Sequence, residues 1–348
     1  MMSQVPGSFS RREVLSLPVL GAVLALPRDL QSLEPGKPSR TAVLVAASRA
    51  IGSRNPDEAT RNPDYLAEKL LSAEDWDLIK GTGHYNNRDA TWPEVMARYA
   101  EQRGTQFANH SGFLPNVGQN LRTRHFDASV RDALEDGTEQ IVILGAGLDS
   151  RAYRLTNSWE TGRVFEVDFP PTQELKKRKV EAAVGTLPRN LTYVPIDFTK
   201  ESIEEVLGRS GYRSDAKTLI TWEGVSMYLP EAAVRSTLAF VARHAGPGSS
   251  VVFDYFDERL VAQNHDSEGW KRLAKMVAEW EEPWVFGIPN SGKGNVLQLV
   301  ASEGLEVKSD FTMGELCVKY LPPKIMPATQ GLTRWAWRIC HATQGSAG

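Results

Sequence analysis

Two glycines separated by one residue, Gly145 and Gly147, form the first candidate binding feature, within the sequence ILGAGLDSRAYRL. Because glycine lets a backbone turn sharply and approach a ligand closely, Gly145, Ala146 and Gly147 are candidate ligand-binding residues. A dinucleotide fingerprint has a third glycine three positions further on, where this chain has Ser150. Alone, the turn is compatible with a dinucleotide, a phosphate or a smaller ligand.

Three acidic residues end the next three apolar segments of the chain. Asp168 ends VFEVD, 23 residues after Gly145, Asp197 lies in IDF, and Glu223 lies in TWEGVSMYL. A carboxylate at the end of the second strand can accept hydrogen bonds from both ribose hydroxyls of an adenosine. Asp197 can accept from an adenine amino group, and Phe198 offers an apolar wall for the ring.

The crowding of these acids indicates the charge of the ligand. A single such acid is more often a strand-end or helix-cap residue, but three behind a Gly-x-Gly turn are much less readily explained by chance. Like charges disfavour a pyrophosphate and suit a ligand with an amine or a sulfonium. The pattern predicts the cofactor S-adenosyl-L-methionine, with its adenosine end on the second and third strands. The alternative, a nicotinamide-dependent oxidoreductase, predicts a third glycine and no crowding of acids.

Short apolar segments alternate with helix-length segments from Gln140 onward, which is typical of βαβ units and a parallel sheet. The predicted fold class is α/β, with the seven-stranded, mostly parallel, Rossmann-like sheet of class I methyltransferases and helices on both faces. Near the C-terminus, GLEVKSDFT and LTRWAWRIC predict two more strands that form a hairpin-like edge.

Three regions are predicted along the chain. Residues 39–135 carry apolar residues at three- and four-residue spacing, which predicts a helical cap or substrate layer. Residues 136–348 form the predicted cofactor-binding α/β domain. Residues 1–38 are a predicted leader or disordered extension, since a twin arginine precedes an apolar run that is too short to span a membrane.

Composition excludes several classes of partner. The 348 residues are 41% hydrophobic and 24% charged with a net charge of −3, so no nucleic-acid partner is predicted. The basic cluster KKRK, residues 176–179, is interpreted as a solvated helix face. Cys317 and Cys340 have no metal-ligand spacing, so neither a metal nor a disulfide framework is predicted.

The predicted compartment is the cytoplasm, because the predicted cofactor is made and kept inside cells. Export by the twin-arginine-like leader is the alternative, and it would favour a non-catalytic binding protein that retains the cofactor fold. No membrane-spanning segment is predicted.

Four motifs together resemble the leucine carboxyl methyltransferase family, closest to its bacterial branch of S-adenosylmethionine-dependent O-methyltransferases: RTRHFD, VILGAGLDSRAYRL, VFEVDFP and WEGVSMYLP. The resemblance runs from about Thr41 to WAWRIC. It implies that the glycine turn, the three acids and Phe198 contact the cofactor. It also implies a salt bridge between Arg122 and the methionine carboxylate, which a guanidinium can grip with two parallel bonds. Arg124 is the rival for that role.

The chain departs from the eukaryotic members of the family. The resemblance implies that those members use a further lysine, near the N-terminus of the domain, to bind the methionine carboxylate, and no lysine is placed there in this chain. Arg40 and Arg49 are the nearest cations, and either or neither could replace that lysine.

The predicted methyl acceptor is a small molecule with a carboxylate or a hydroxyl. A carboxylate needs no base, whereas a phenol would benefit from one. The candidates for such a base are His110, His125, Tyr228 and Tyr255, and none is assigned. Acceptor identity and oligomeric state are likewise left unassigned.

Overall fold

The computed structural model describes residues 39–102, 113–156, 159–197, 200–265, 268–290, 292–323 and 336–345. The predicted leader, His110 and Phe198 lie outside the described residues. No helix within these ranges is long and apolar enough to cross a membrane.

Helices and strands alternate along most of the described chain. The strands are β1 (Gln140–Leu144), β2 (Arg163–Asp168), β3 (Leu191–Pro195), β4 (Thr218–Trp222), β5 (Ser250–Phe256), β6 (Leu305–Thr312) and β7 (Trp337–Gln344). The helices before β1 are α1 (Arg40–Ser53), α2 (Ala73–Leu78), α3 (Gly83–Asn86), α4 (Trp92–Gln102) and α5 (Phe113–Glu135). The later helices are α6 (Arg151–Arg154), α7 (Pro170–Val184), α8 (Ile203–Arg209), α9 (Glu231–His244), α10 (Glu258–Val261), α11 (Glu268–Glu279), α12 (Val296–Ser302) and α13 (Met313–Tyr320).

The strands form one seven-stranded sheet in the order β3-β2-β1-β4-β5-β7-β6. The five strands β1 to β5 are parallel to one another, and β7 pairs antiparallel with both β5 and β6. This confirms the predicted fold class and the two-strand edge. Strand order reverses between β1 and β4, and ligands of open α/β sheets bind beyond the carboxyl ends of the strands at such a point.

Apolar cores cover both faces of the sheet. Ile141 and Ile143 cluster with residues of α5, whereas Val142 and Leu144 cluster with residues of α8, α9 and α12. Successive side chains of a strand point to opposite faces, so β1 is apolar throughout because both of its faces are covered.

The helices before α5 form a further apolar cluster that includes Leu148, the residue after the glycine turn. At the start of α1, the Glu282 carboxylate accepts hydrogen bonds from the backbone N–H of Arg40 (2.6 Å) and the Ser39 hydroxyl (2.9 Å). A carboxylate at this end of a helix stabilises the unpaired N–H groups of the first turn. The helical layer is thus anchored to both the turn and the loop after α11. The domain division at residue 135 stays a prediction.

The interpretation of KKRK as a solvated face is wrong for two of its four residues. Lys176 is 1% exposed, and its ammonium lies 2.8 Å from the Glu166 carboxylate inside β2. Lys179 pairs with Asp75, and its side chain is only 10% exposed. Helix α7 packs this side against the sheet and α2, where buried carboxylates supply the partners that buried ammonium groups need.

Candidate functional site

The glycine turn after β1 is held close to the loop that follows β4. The N–H groups of Gly145 and Ala146 both donate to the Val167 carbonyl of β2, at 2.8 and 3.1 Å. Gly145 has φ +66°, and a Cβ there would lie 2.4 Å from the Val225 side chain. Both the backbone angle and the close approach therefore require glycine at this position.

Asp168 lies directly against this turn. One carboxylate oxygen accepts the N–H of Gly147, and the other accepts the N–H of Phe169 at 2.7 Å. Burial raises the pKa of Asp168, although these two hydrogen bonds act to lower it. The structure thus brings together Gly145, Ala146, Gly147 and Asp168, as the sequence predicts.

Asp197 is placed beside Asp168 by strand pairing. The N–H of Ile196 donates to the Asp168 carbonyl at 2.9 Å, and Asp197 is the next residue. Its carboxylate pairs with Lys200 at 2.6 Å, with 22% of the Asp197 side chain exposed. Asp197 therefore lies beside Asp168 at the carboxyl ends of the strands, with its side chain partly exposed.

Glu223 follows β4 and lies among three arginine side chains. Its carboxylate is 2.9 Å from Arg122 Nε, 2.5 Å from Arg151 Nη1 and 3.8 Å from Arg49 Nη1. The Glu223 side chain is 7% exposed. Burial alone would raise the pKa of Glu223, but Arg151 and Arg122 hold it below its ordinary value.

Arg122, on α5, is fixed from a second side by Asp254 in the middle of β5. Asp254 is fully buried and accepts from Arg122 Nη1 at 2.9 Å, from Trp337 Nε1 at 2.9 Å and from the N–H of Gly224 at 2.6 Å. The Arg122 guanidinium also lies over the Trp337 ring, 5.1 Å from its centroid. The rival Arg124 instead donates to Asn120 and to backbone carbonyls of residues 58 and 61.

The structure also distinguishes the two candidate N-terminal cations. Arg49 pairs with Asp64 at 2.9 Å and donates to the Leu148 carbonyl at 2.8 Å, so it lies beside the turn. Arg40 donates to the Leu78 carbonyl and covers the Trp280 ring. Of the two, only Arg49 contacts the site.

These contacts form one buried ion network, which we define as four arginines and five acids: Arg49, Arg122, Arg151, Arg154, Asp64, Asp127, Asp149, Glu223 and Asp254. Sequence reasoning did not assign Arg151 or Asp254 to the site. A usable signal was present, because Asp254 interrupts the apolar strand VVFDYF and Arg151 directly follows the turn motif.

Three buried polar atoms of the network have no hydrogen-bond partner among the described residues: Arg49 Nε, Arg122 Nε and Glu223 Oε1. Arg49 Nε is 2.9 Å from Asp64, and Arg122 Nε is 2.9 Å from Glu223 Oε1, so all three atoms are paired by charge without hydrogen-bond angles. Guanidinium groups are suitable donors to the carboxylate of an α-amino acid, and a carboxylate such as Glu223 is a suitable acceptor for its ammonium. The residues therefore fit the methionine end of the predicted cofactor.

The described candidates for a catalytic base are engaged elsewhere or unsuited to the role. His125 Nδ1 is 2.9 Å from the Tyr320 hydroxyl, and burial lowers the pKa of His125 to about 4. The Tyr255 hydroxyl donates to Asp310 at 3.1 Å. Burial raises the pKa of Tyr228 to about 12, so its phenol stays protonated at neutral pH. These contacts assign no base.

The buried ion network predicts acid-sensitive stability. Burial acts to raise the pKa of Asp149, but Arg151 and other cations lower it to about 2 from 3.8. A depressed pKa adds stability that is complete above about pH 4 and is lost as pH falls toward 2, here about 2 kcal/mol from Asp149 alone. Urea unfolding at pH 6, 4 and 2.5 should show this loss, and Asp149→Asn should reduce it without abolishing it, because the pKa values of Asp127 and Glu223 are also lowered. An unfolding free energy that does not fall below pH 4 would contradict the prediction.

Comparison with known proteins places the chain among methyltransferases. The family model described as leucine carboxyl methyltransferase matches residues 42–242. A Bacillus subtilis (strain 168) protein named "Putative S-adenosyl-L-methionine-dependent methyltransferase YktD" is 38% identical over 70% of this chain and 80% of its own length. A protein of Mycobacterium marinum (strain ATCC BAA-535 / M) named "Putative S-adenosyl-L-methionine-dependent methyltransferase" is 32% identical over 69% of each chain. Among solved structures, a DUF574 family protein from Streptomyces avermitilis is 14% identical, with a TM-score of 0.47 over 80% of this chain and 97% of that one.

Proposed function

The chain belongs to the leucine carboxyl methyltransferase family, and on that basis we propose that it methylates an oxygen atom of a small molecule. S-adenosyl-L-methionine is the methyl donor. The observation that carries the proposal is the buried charged group of Arg49, Arg122 and Glu223, in which each side chain is paired by charge and keeps one atom without a hydrogen-bond partner among the described residues. They lie beside a Gly-x-Gly turn that has a carboxylate at the end of the neighbouring strand.

Each part of the cofactor is assigned to residues at this sheet edge. Asp168 accepts from the ribose hydroxyls, and Asp197 accepts from the adenine amino group, with Phe198 as the predicted wall of the ring. Arg122 and Arg49 bind the methionine carboxylate, while Glu223 accepts from its ammonium. Gly145, Ala146 and Gly147 give the backbone room to approach the ligand.

The charge of the site supports this cofactor over a nicotinamide dinucleotide. The buried ion network has five carboxylates and four guanidinium groups, and Asp168 adds a further acid at the turn. A net negative site suits the positive charge of a sulfonium, whereas it repels the pyrophosphate of a dinucleotide. The missing third glycine, at Ser150, favours the same choice.

The reaction needs little acid–base chemistry from the chain. When bound, the cofactor would supply a methyl group that its sulfonium activates. The acceptor oxygen would take this methyl group by in-line displacement of the sulfur. The residues of the site hold the donor in one orientation and exclude water, which is the main contribution an enzyme makes to such a transfer. A carboxylate acceptor is already ionised at neutral pH and needs no base. A carboxylate thus fits a site in which no base is assigned.

A non-catalytic alternative and the compartment of the protein complete the proposal. A non-catalytic protein that retains the cofactor fold would bind the cofactor without turnover. We place the enzyme in the cytoplasm, where its cofactor is made, with export by the leader as the alternative.

The first experiment is calorimetric titration of S-adenosyl-L-methionine and, separately, NADH into the unaltered protein. We expect micromolar binding of S-adenosyl-L-methionine and no binding of NADH. Binding of NADH alone would support the oxidoreductase alternative, and binding of neither by folded protein would contradict the proposal.

A second step identifies the methylated atom. The protein is incubated with methyl-labelled cofactor and a panel of aromatic and aliphatic carboxylic acids and phenols. Mild alkali releases the label from a methyl ester as methanol and leaves it on a methyl ether, so we expect release. Retained label would assign a hydroxyl acceptor, and no labelled product with any member would favour the binding protein.

A further inference from the structure

We propose that Lys176 is a positioning residue for the cofactor, acting through the peptide unit between Ala146 and Gly147. Lys176 holds the carbonyl of this peptide while Asp168 holds its N–H, so that charged side chains fix both of its polar ends. The inference rests on the proposed function, because the glycine turn is the proposed cofactor site.

The geometry of this one peptide supports the inference. Lys176 Nζ donates to the Ala146 carbonyl at 3.3 Å, and the N–H of Asp149 donates to the same oxygen at 2.7 Å. On the other side, the N–H of Gly147 donates to Asp168. The C=O and N–H of a trans peptide point in opposite directions, so the two side chains hold it from opposite sides.

The turn needs such support because of its composition. Gly145 and Gly147 flank Ala146 with φ of +66° and +41°, and neither has a Cβ that would restrict backbone rotation. Rotation of the Ala146–Gly147 peptide would remove the Gly147 N–H from Asp168. It would thereby disturb the carboxylate that we assign to the ribose.

The burial of Lys176 is hard to explain by stability alone. The side chain is 1% exposed, and its partner Glu166 is fully buried within β2. Taking both charges out of water is costly, and apolar replacements of a buried ion pair are often as stable as the pair. Glu166 also accepts from the Tyr153 hydroxyl at 3.0 Å, so the acid that orients Lys176 is itself held. A role in shaping the turn accounts for both charged groups.

The test compares two lysines of one helix. Lys176→Met keeps the length of the apolar stem and removes the ammonium. Lys179→Met makes the same change at the lysine that pairs with Asp75, away from the turn. Loss of a hydrogen bond from a charged donor is expected to weaken binding about tenfold. We therefore expect the Kd for S-adenosyl-L-methionine to rise about tenfold in Lys176→Met and to stay within about twofold in Lys179→Met.

Further variants separate positioning from folding. The double variant Glu166→Gln/Lys176→Met removes the charge of the carboxylate that Lys176→Met leaves without a cation, and we expect the same rise in Kd. Glu166→Gln alone keeps the ammonium at Ala146, and Lys176→Arg restores a donor, so both should retain more of the affinity. A merely structural role would lower the melting temperature and the titration stoichiometry, with the Kd of the folded fraction unchanged.

The outcomes distinguish the two proposals. If the unaltered protein does not bind S-adenosyl-L-methionine, the proposed function fails. If the unaltered protein binds it and both Lys176→Met and Glu166→Gln/Lys176→Met bind within twofold of it, only the role of Lys176 is overturned.

Discussion

Arg151→Met is expected to lower the free energy of unfolding by about 3–5 kcal/mol, the cost of removing one partner from a buried ion pair. The Arg151 guanidinium lies 2.8 Å from Asp127, 2.5 Å from Asp149 and 2.5 Å from Glu223, and the side chain is 2% exposed. Methionine would fill most of the volume but leave three carboxylates with one cation fewer. Asp127 would keep Arg154 and Glu223 would keep Arg122, whereas Asp149 would lose its ion-pair partner and have to take up a proton or admit water.

The matched control is Arg131→Met, because Arg131 pairs with the same Asp127. That contact is 3.9 Å long, and 54% of the Arg131 side chain is exposed. An exposed pair contributes less than about 1 kcal/mol. Urea unfolding of both variants at pH 7 measures the difference. A similar small loss in the two variants would mean that the carboxylates around Arg151 are satisfied without it.

The alternation of strands and helices was predictable because it depends on local patterns. Segments such as QIVILG and VFEVD are apolar, short and bounded by turn residues, and parallel pairing brings their carboxyl ends to one edge. The places of Gly145, Asp168 and Glu223 follow from that rule alone. The neighbouring sequence places each residue at the carboxyl end of a strand, and the parallel sheet brings these strand ends together.

The partners of the charged residues were not predictable in the same way. Arg49, on α1, reaches Glu223 after β4, and Arg122, on α5, reaches Asp254 in β5. These pairs join residues more than 100 positions apart, and they depend on how the helical layer sits on the sheet. The burial of Lys176 was unpredictable for the same reason. A run of four basic residues is interpreted as a solvated helix face unless the position of a facing carboxylate, here Glu166, is known.

Asp168→Ala is expected to weaken S-adenosyl-L-methionine binding at least about 100-fold while leaving the fold intact. The proposed site loses two hydrogen bonds from ribose to a charged acceptor, each worth about 1.5–3 kcal/mol. It also loses the acceptor of the Gly147 N–H, so the turn is freed on that side. Burial raises the pKa of Asp168 and so disfavours its charge in the folded protein, but removal of the carboxylate leaves the Gly147 and Phe169 N–H groups without this acceptor. We therefore expect a loss of stability of about 1–3 kcal/mol, which leaves the protein folded.

Two further variants show which property of Asp168 matters. Asp168→Asn keeps an oxygen for the Gly147 N–H without the charge, so it should bind more tightly than Asp168→Ala and more weakly than the unaltered protein. Asp215→Ala removes an exposed carboxylate near the amino end of β4, and it should bind normally. Calorimetric titration of the three variants, with thermal unfolding beside it, gives the order. If Asp168→Ala binds as tightly as Asp215→Ala, the acid shapes the turn but does not hold the ribose, and the orientation proposed for the cofactor is wrong.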